Sequence, residues 1–309
     1  QFVYKIKKPV HYSFLDFSTL TLRKHFCQRE IELNKRLTDK VYIDVQPVNE
    51  WQGSYKIGGN EGTIIDYVVR MHKLDREKQM DILLLNNKVT GDHIQQLAEK
   101  IASFHKRADT ILKKDFLDIQ EKFNDLETEK EFLGRQLGKK SSDCINYAIE
   151  ASDAFIAKNK ELLEDRLRAG FFRDCHGDLH SRNIFLLPAP VPFDCIEFND
   201  DFRQIDVLNE VAFLCMDLDA FGRPDLSALF IEDYNVFFPV MKTREDRSLF
   251  IYYKSYRANI RAKVNSLRAK SAAAVEEKKK ALLAADKYLT LMESYMRSPE
   301  MIENIKPAN

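Results

Sequence analysis

The stretch His-Gly-Asp-Leu-His-Ser-Arg-Asn at residues 176–183 decides how this chain is interpreted. It places Asp178 and Asn183 five positions apart on a predicted loop, and an acidic residue, Glu197, follows on the apolar run 193–198. A positioned carboxylate can accept a proton from a hydroxyl group, and amide and carboxylate oxygens are good ligands for hard divalent cations. The stretch therefore predicts a loop that combines a general base with a cation site.

Composition indicates a globular and mainly helical protein. The chain has 309 residues, of which 44% are hydrophobic, enough for one large or two medium domains. It contains only 10 Gly and 9 Pro, the residues that interrupt helices. Lys+Arg and Asp+Glu balance at 48 each, so net charge gives no argument for nucleic acid or a membrane surface, and we expect neither as a partner.

The cysteines and the apolar runs indicate the compartment. The five cysteines are scattered and form no C-x-x-C pair, which argues against a zinc ribbon and favours a reducing environment. No apolar run approaches the roughly 20 residues that cross a bilayer, and the first residues do not resemble a signal peptide. We therefore expect a cytoplasmic protein. Residues 2–6 predict a strand, and the sequence looks as if it begins in the middle of that strand, so we also expect earlier strands upstream.

The order of predicted elements is mixed at first and helical later. The first 71 residues predict a strand at 2–6, a helix at 19–37 capped by Thr19 or Thr21, and strands at 41–48 and 63–71. Further on we predict a helix capped at Thr90, a long helix at 141–167, short strands at 171–175, 184–187 and 193–198, and helices from 205 to about 296.

Residues 176–183 resemble the catalytic loop of the aminoglycoside phosphotransferase family and of relatives such as choline kinases. The separation of Asp178 and Asn183 is also that of the kinase pattern H-R-D-x-x-x-x-N. The resemblance continues through residues 4–10, 194–200 and 210–218, and the chain looks like a bacterial branch of that family of small-molecule kinases.

This resemblance implies a fold and its division into lobes. We expect an α+β, protein-kinase-like, two-lobe fold. Residues 1–74 would form a small nucleotide-binding lobe of sheet and helix, truncated at its start. Residues 75–309 would form a large, mainly helical lobe with the catalytic loop and the acceptor site.

The resemblance also implies roles at matching positions. Asp178 would be the catalytic base. Lys5 would contact the phosphates of ATP, with Glu30 as its partner on the helix, and Met71 and His72 would lie at the hinge that binds adenine. From the residues alone the choice of anchor stays open, because Lys7, Lys8 and Glu32 compete for the same roles.

The metal ligands are predicted with one departure from the family pattern. Asn183 would ligate Mg²⁺, and the second ligand is usually the Asp of an Ile-Asp-Phe or Ile-Asp-Trp triplet. Here the triplet carries Glu197, so Glu197 is the predicted ligand, with Asp194 and Asp200 as rivals. A second departure is that no glycine-rich loop precedes Lys5. The glycines at 58, 59 and 62 are no substitute, since no Lys-Ser/Thr follows them.

The predicted function is ATP- and Mg²⁺-dependent phosphoryl transfer to the hydroxyl group of a small molecule. Glu210, Arg257 and Arg261 are candidate acceptor contacts. Arg257 and Arg261 share a helix face, for which a solvated basic surface is the competing interpretation.

Two other functions remain open at this point. One is a pseudokinase-like module that binds nucleotide and acts through partners, which the missing glycine loop and the glutamate at 197 favour. The other, a minor alternative, is a metal-dependent hydrolase. In it His176, Asp178 and His180 would alternate along an extended strand and face one metal ion.

Overall fold

The computed structural model describes residues 1–12 and 14–305. The chain divides into two compact units. The first comprises Gln1–Ala108 and Asp174–Ile205, and the second comprises Asp109–Arg173 and the chain from Asp206 onward. The loop at 176–183 thus belongs to the same unit as the N-terminal sheet. The lobe boundary at residue 74 stays a prediction.

The first unit contains a four-stranded antiparallel sheet. Its strands are β1 (Phe2–Ile6), β4 (Tyr42–Trp51), β5 (Ser54–Ile57) and β6 (Thr63–His72), in the order β1-β6-β4-β5. The strands predicted at 2–6, 41–48 and 63–71 are confirmed. A small hairpin of β2 (His11–Tyr12) and β3 (Leu15–Asp16) follows β1.

Helix α1 (Leu20–Lys35) packs on this sheet with an unusually polar face. Thr19 caps it as predicted, its hydroxyl oxygen accepting from the amide of Leu22 at 3.2 Å. Cys27 and Ile31 join Val69 and Met71 in the core. The same buried face also carries charged and amide side chains, Arg23, Glu30 and Asn34. Each of these must find a partner inside the unit, because an unpaired buried charge is costly.

The remainder of the first unit surrounds the loop at 176–183. Helices α2 (Met80–Leu85) and α3 (Gly91–Arg107) follow the sheet, and Thr90 caps α3 as predicted. In the chain after the loop, β8 (Ile184–Leu186) pairs antiparallel with β9 (Pro190–Pro192). The strand predicted at 193–198 is wrong. Asp194 has a φ of +64°, a left-handed conformation that an extended strand does not contain.

The second unit is helical. Its helices are α4 (Asp118–Asn124), α5 (Glu127–Leu137), α6 (Lys139–Lys158), α7 (Lys160–Arg168), α8 (Val207–Ala220), α9 (Pro224–Phe237), α10 (Arg244–Ser271), α11 (Val275–Met296) and α12 (Pro299–Ile305). Strands β7 (Phe172–Asp174) and β10 (Gln204–Asp206) lie where the chain passes from one unit to the other. Across the described residues, no helix combines the length and the apolar character that spanning a membrane requires.

The long helix predicted at 141–167 is two helices. Asn159 ends α6, and its side-chain amide donates to the carbonyl of Phe155 at 2.8 Å. Asparagine competes for backbone hydrogen bonds in this way, which makes it a frequent helix terminus. The helix periodicity continues on both sides of the break, so the apolar pattern alone does not reveal it.

A buried arginine connects three segments of the second unit. Arg166 donates to both carboxylate oxygens of Asp206 at 2.6 and 2.9 Å, to Asp246 at 2.7 Å and to the carbonyl of Val240 at 2.8 Å. Asp206 also caps α8 by accepting from the amide of Leu208 at 2.8 Å. The side chain of Arg166 is only 3% exposed, so this network is shielded from water.

We predict that Arg166→Met destabilises the protein by on the order of 3–5 kcal/mol, because it leaves two buried carboxylates without their partner. Urea unfolding followed by the signal of the helices would measure the loss. Arg168→Met is the matched control. Arg168 is 67% exposed and pairs only with Glu164 and Asp165, so its replacement should cost less than about 1 kcal/mol. Equal losses in the two variants would contradict this account of the network.

Candidate active site

The two residues singled out in the loop lie in direct contact. A tight turn at Ser181–Asn183 brings the chain back, so that the side-chain amide of Asn183 donates to the carboxylate of Asp178 at 2.9 Å. The same amide donates to the backbone carbonyl of Asp178 at 3.0 Å. The ring Nε2 of His180 lies 3.3 Å from the Asp178 carboxylate. Asp178 is thus held from two sides while 38% of its side chain remains exposed.

The buried ring of His176 anchors the loop through hydrogen bonds to the backbone. Its ring is fully buried, Nδ1 accepts from the amide of Asp178 at 3.2 Å, and Nε2 donates to the carbonyl of Phe193 at 2.8 Å. Burial lowers the pKa of His176 to about 4, so the ring is neutral at physiological pH. Both nitrogens are engaged by the backbone, which leaves neither for a metal ion.

These contacts argue against the metal-dependent hydrolase. That interpretation needs His176, Asp178 and His180 to face one ion, yet His176 has no nitrogen to offer. Moreover, nowhere in residues 1–12 and 14–305 do three His, Cys, Asp or Glu side chains form a group that could hold a metal ion. The alternation that motivated the interpretation belongs to a loop and not to an extended strand.

The chain that follows the β8–β9 hairpin brings Asp194 close to Asn183 of the loop. The amide of Phe193 donates to the carbonyl of Asn183 at 2.9 Å, and Phe193 packs on the core beneath the sheet. The amide of the next residue, Asp194, donates to the hydroxyl of Tyr42 at 3.1 Å. The carboxylate of Asp194 is 39% exposed, in contrast to the 7% of Glu197.

The predicted pair of Lys5 and Glu30 is present. The ammonium of Lys5 lies 2.8 Å from Glu30 and also pairs with Asp194. Burial alone would lower the pKa of Lys5, but the neighbouring carboxylates hold it well above its usual range. Lys5 is therefore a fixed positive charge, and its side chain is 37% exposed. It thus joins the helix residue Glu30 to the exposed carboxylate of Asp194.

Lys7 was one of the competitors for this role, and it binds the same glutamate. Its ammonium lies 2.8 Å from the second oxygen of Glu30 and pairs also with Glu197. Lys5 lies on β1 and Lys7 lies one residue beyond its end, so both lysines reach one carboxylate from the same short segment of chain. Burial raises the pKa of Glu197, an effect that Lys7 opposes. Glu197, the predicted metal ligand, is thus enclosed in an ion pair.

The oxygen atoms of Asn183 and Asp194 fit a magnesium ion. Since the side-chain nitrogen of Asn183 faces Asp178, its oxygen faces away, and no described residue donates a hydrogen bond to that oxygen. Asp194 offers an exposed carboxylate. Mg²⁺ is usually bound by one or two such protein oxygens together with phosphate oxygens and water. The rival Asp200 is occupied by Arg29 at 2.9 Å and Arg203 at 2.8 Å.

Three further residues position the site and were missed from the sequence. Arg36 donates to the carbonyls of Asp174 and Cys175, at 3.0 Å each, just before the loop. The fully buried Arg203 donates to the Asp174 carboxylate at 2.7 Å. Asn34 accepts from the amide of Cys195 at 3.0 Å, next to Asp194. They are isolated polar residues without motif or spacing, so only their contacts in the folded structure identify them.

The remaining predicted residues lie outside this group. Met71 and His72 end β6, where the amide of His72 donates to the carbonyl of Val41 at 2.8 Å. Their role at an adenine hinge stays a prediction. The candidate acceptor contacts belong to the second unit, where Glu210 is fully buried.

Arg257 and Arg261 both have structural contacts within the second unit. Arg257 donates to the side chain of Asn209 at 2.7 Å and lies 4.8 Å from the ring centre of Phe213. The guanidinium of Arg261 lies 5.5 Å from the ring centre of Tyr288. These contacts favour structural roles, and acceptor binding by either arginine stays a prediction.

Gly177 gives a test of how tightly this loop is held. Its φ is +88°, and a Cβ there would lie 3.0 Å from the carbonyl oxygen of Phe202 and 3.0 Å from Ile196. We predict that Gly177→Ala lowers the free energy of unfolding by about 2–4 kcal/mol, the sum of backbone strain and overpacking. Gly59→Ala is the control, with a φ of +81° and open space around its Cβ, and should cost about 1–2 kcal/mol. Equal losses in chemical denaturation would show that the loop is not tightly packed.

Comparison with known proteins gives relatives of unknown activity and a recognisable fold. No family model matches the chain. Uncharacterised proteins of Mycobacterium bovis and Mycobacterium tuberculosis are 31% identical to it over 271 residues, covering 86% of this chain and 51% of their own length. The chain therefore spans about half the length of the curated relatives it matches.

Among solved structures, a Plasmodium vivax ethanolamine kinase matches over 98% of this chain and 77% of its own, with a TM-score of 0.52 and 10% identity. A spectinomycin phosphotransferase in complex with ADP and spectinomycin matches with a TM-score of 0.47 and 11% identity, over 98% of this chain and 84% of its own. The match to the ethanolamine kinase confirms the α+β, protein-kinase-like fold expected from the sequence.

Proposed function

We propose that this protein is a nucleotide-dependent phosphotransferase that acts on the hydroxyl group of a small molecule. The observation that carries the proposal is the assembly of Asp178, Asn183, Asp194 and the Lys5–Glu30 pair within one compact unit. Phosphoryl transfer needs a base, oxygen ligands for a metal ion and a positive anchor for the phosphates. In this group Asp178 is the candidate base, Asn183 and Asp194 are the candidate metal ligands, and Lys5 is the candidate phosphate anchor.

Asp178 is the candidate base. As the acceptor oxygen bonds to the γ-phosphorus of ATP, the bond from that phosphorus to the β–γ bridging oxygen breaks, ADP leaves, and the hydroxyl proton passes to Asp178. The exposed carboxylate is open to an acceptor, while Asn183 and His180 hold its orientation. The acceptor itself is a small molecule whose identity this group of residues does not specify.

Asn183 and Asp194 would hold Mg²⁺, and Lys5 would bind the phosphates. The ion would neutralise charge on the phosphate oxygens. Asp194 would hold the cation in place of its ion pair with Lys5, and the Lys5 ammonium would bind the phosphates while keeping its ion pair with Glu30. We assign the second ligand to Asp194 because Glu197 is enclosed with Lys7.

We further propose a cytoplasmic location. The five cysteines are scattered along the chain without a C-x-x-C pair, and all are buried. This use of cysteine is typical of proteins in a reducing compartment.

We predict that Asp178→Asn lowers turnover by about 10²–10⁴-fold, the usual contribution of general base catalysis, with little change in nucleotide affinity. The isosteric amide keeps the shape of the loop but cannot accept the proton. Turnover would be measured as ADP release with a panel of hydroxylated metabolites, and affinity by the thermal shift with Mg²⁺–ATP. Asp92→Asn, an exposed position in the first turn of α3, is the control and should change neither quantity.

Two outcomes would decide against this mechanism. Wild-type turnover in Asp178→Asn would remove the base from the proposal. Binding of Mg²⁺–ATP by the wild-type protein without hydrolysis or transfer to any acceptor would favour the pseudokinase-like module instead.

The metal ligands give a separate prediction. Asp194→Asn should raise the Mg²⁺ concentration needed for half-maximal stabilisation by ADP about tenfold or more, since it removes a charged oxygen ligand. Asp200→Asn, which removes the other exposed rival, should change that concentration less than about threefold, because Asp200 already pairs with two arginines. The reverse ranking in a magnesium titration would assign the ligand to Asp200.

A further inference from the structure

Two lysines share one buried glutamate, and they differ sharply in exposure. Glu30 is fully buried, and each of its oxygens lies 2.8 Å from one ammonium, that of Lys5 or that of Lys7. The side chain of Lys5 is 37% exposed, whereas that of Lys7 is 3% exposed. An exposed lysine can change partners at low cost, but a buried one cannot leave its carboxylates without a large desolvation penalty.

We propose that Lys7 is a positioning residue that holds Glu30 and Glu197 permanently, so that Lys5 alone exchanges Asp194 for the nucleotide phosphates. Glu197 is then the buried counter-ion of Lys7 and not a metal ligand. This inference rests on the proposed nucleotide site and divides the anchoring role of that site between two lysines.

The charges of the group support this division. In the structure two ammonium groups face three carboxylates: Lys5 and Lys7 against Glu30, Asp194 and Glu197. When Lys5 turns to the phosphates and Asp194 to the cation, Lys7 still neutralises one of the two remaining carboxylates and bonds to both. Without Lys7, Glu30 and Glu197 would lie buried and uncompensated, or would recapture Lys5.

The contacts of Lys7 suit a permanent role. Burial alone would lower its pKa, but Glu30 and Glu197 raise it above its ordinary value, so the side chain stays charged. Its ammonium also lies 4.9 Å from the ring centre of Phe17, a cation–π contact that adds to the enclosure.

The Lys7–Glu197 pair also fixes the segment that presents Asp194. Glu197 lies three residues after Asp194, and the amide of Ile196 between them donates to the carbonyl of His176 at 3.1 Å. Lys7 therefore ties the end of this segment to the residue that follows β1, only two residues from Lys5. The carboxylate of Asp194 stays exposed at the beginning of the segment.

The test is the affinity for Mg²⁺–ADP, measured by calorimetry, which needs no turnover. In Lys7→Met/Glu197→Leu both charges of the pair are removed, and such replacements often leave stability unchanged. We expect the double variant to unfold close to the wild-type temperature but to bind Mg²⁺–ADP at least about tenfold more weakly. Without Lys7, Lys5 is the remaining lysine partner of Glu30 and is held more firmly by that carboxylate. Lys7→Arg keeps the charge and should retain affinity within about threefold of the wild type.

A second buried pair in the same unit supplies the matched control. Arg23 and Asp66 lie 2.7 Å apart with side chains 9% and 15% exposed. Arg23→Met/Asp66→Leu should leave the affinity for Mg²⁺–ADP within about twofold, whatever it does to stability.

Each result supports or overturns the inference. Wild-type affinity in a folded Lys7→Met/Glu197→Leu protein would overturn the positioning role, and so would an equal loss in the Arg23/Asp66 control. If the double variant does not fold, the affinity of Lys7→Arg for Mg²⁺–ADP decides. An affinity within about threefold of the wild type would support the inference, and a loss of about tenfold would overturn it. A wild-type protein that binds Mg²⁺–ADP but transfers no phosphoryl group would contradict only the proposed function. One that binds no nucleotide would overturn both.

Discussion

The structure of the first unit depends on the burial of one carboxylate, that of Glu30. A fully buried glutamate needs positive partners within hydrogen-bond distance, and Glu30 has two lysines, one on β1 and one just after its end. Those lysines in turn bind Asp194 and Glu197, which lie at the two ends of one segment. The position of α1, the register of β1 and the path of the chain at 194–197 are therefore linked through one charge.

The loop at 176–183 is held by a second constraint, which is steric and concerns the backbone. Gly177 adopts a conformation that other residues rarely take, and the backbone of Phe202 fills the space where a side chain would be. Asp194 takes a positive φ without being a glycine, at a cost that the surrounding contacts must offset. Left-handed backbone at Gly177 and at Asp194 thus accompanies the irregular chain segments that carry the carboxylates of Asp178 and Asp194.

The parts of this site that the sequence predicts are those with fixed local spacing. Asp178 and Asn183 meet because the tight turn at Ser181–Asn183 brings the chain back, and Lys5 meets Glu30 because strand and helix follow each other closely. The strand predicted at 193–198 failed because β-propensity does not register one left-handed residue such as Asp194. The sequence favours Glu197 as the ligand because of a triplet, whereas the proposal of Asp194 rests on exposure, which is a property of tertiary packing.

The pairing of Lys5 with Asp194 has a consequence for which ligands the site binds. A lone anion that takes Lys5 would leave Asp194 without its cation, and a lone divalent cation that takes Asp194 would leave Lys5 without its anion. Only a ligand that brings both charges together can replace the pair without loss. The site would therefore bind a magnesium–nucleotide complex in preference to free phosphate or free magnesium. The cation and the nucleotide would thus bind with positive coupling.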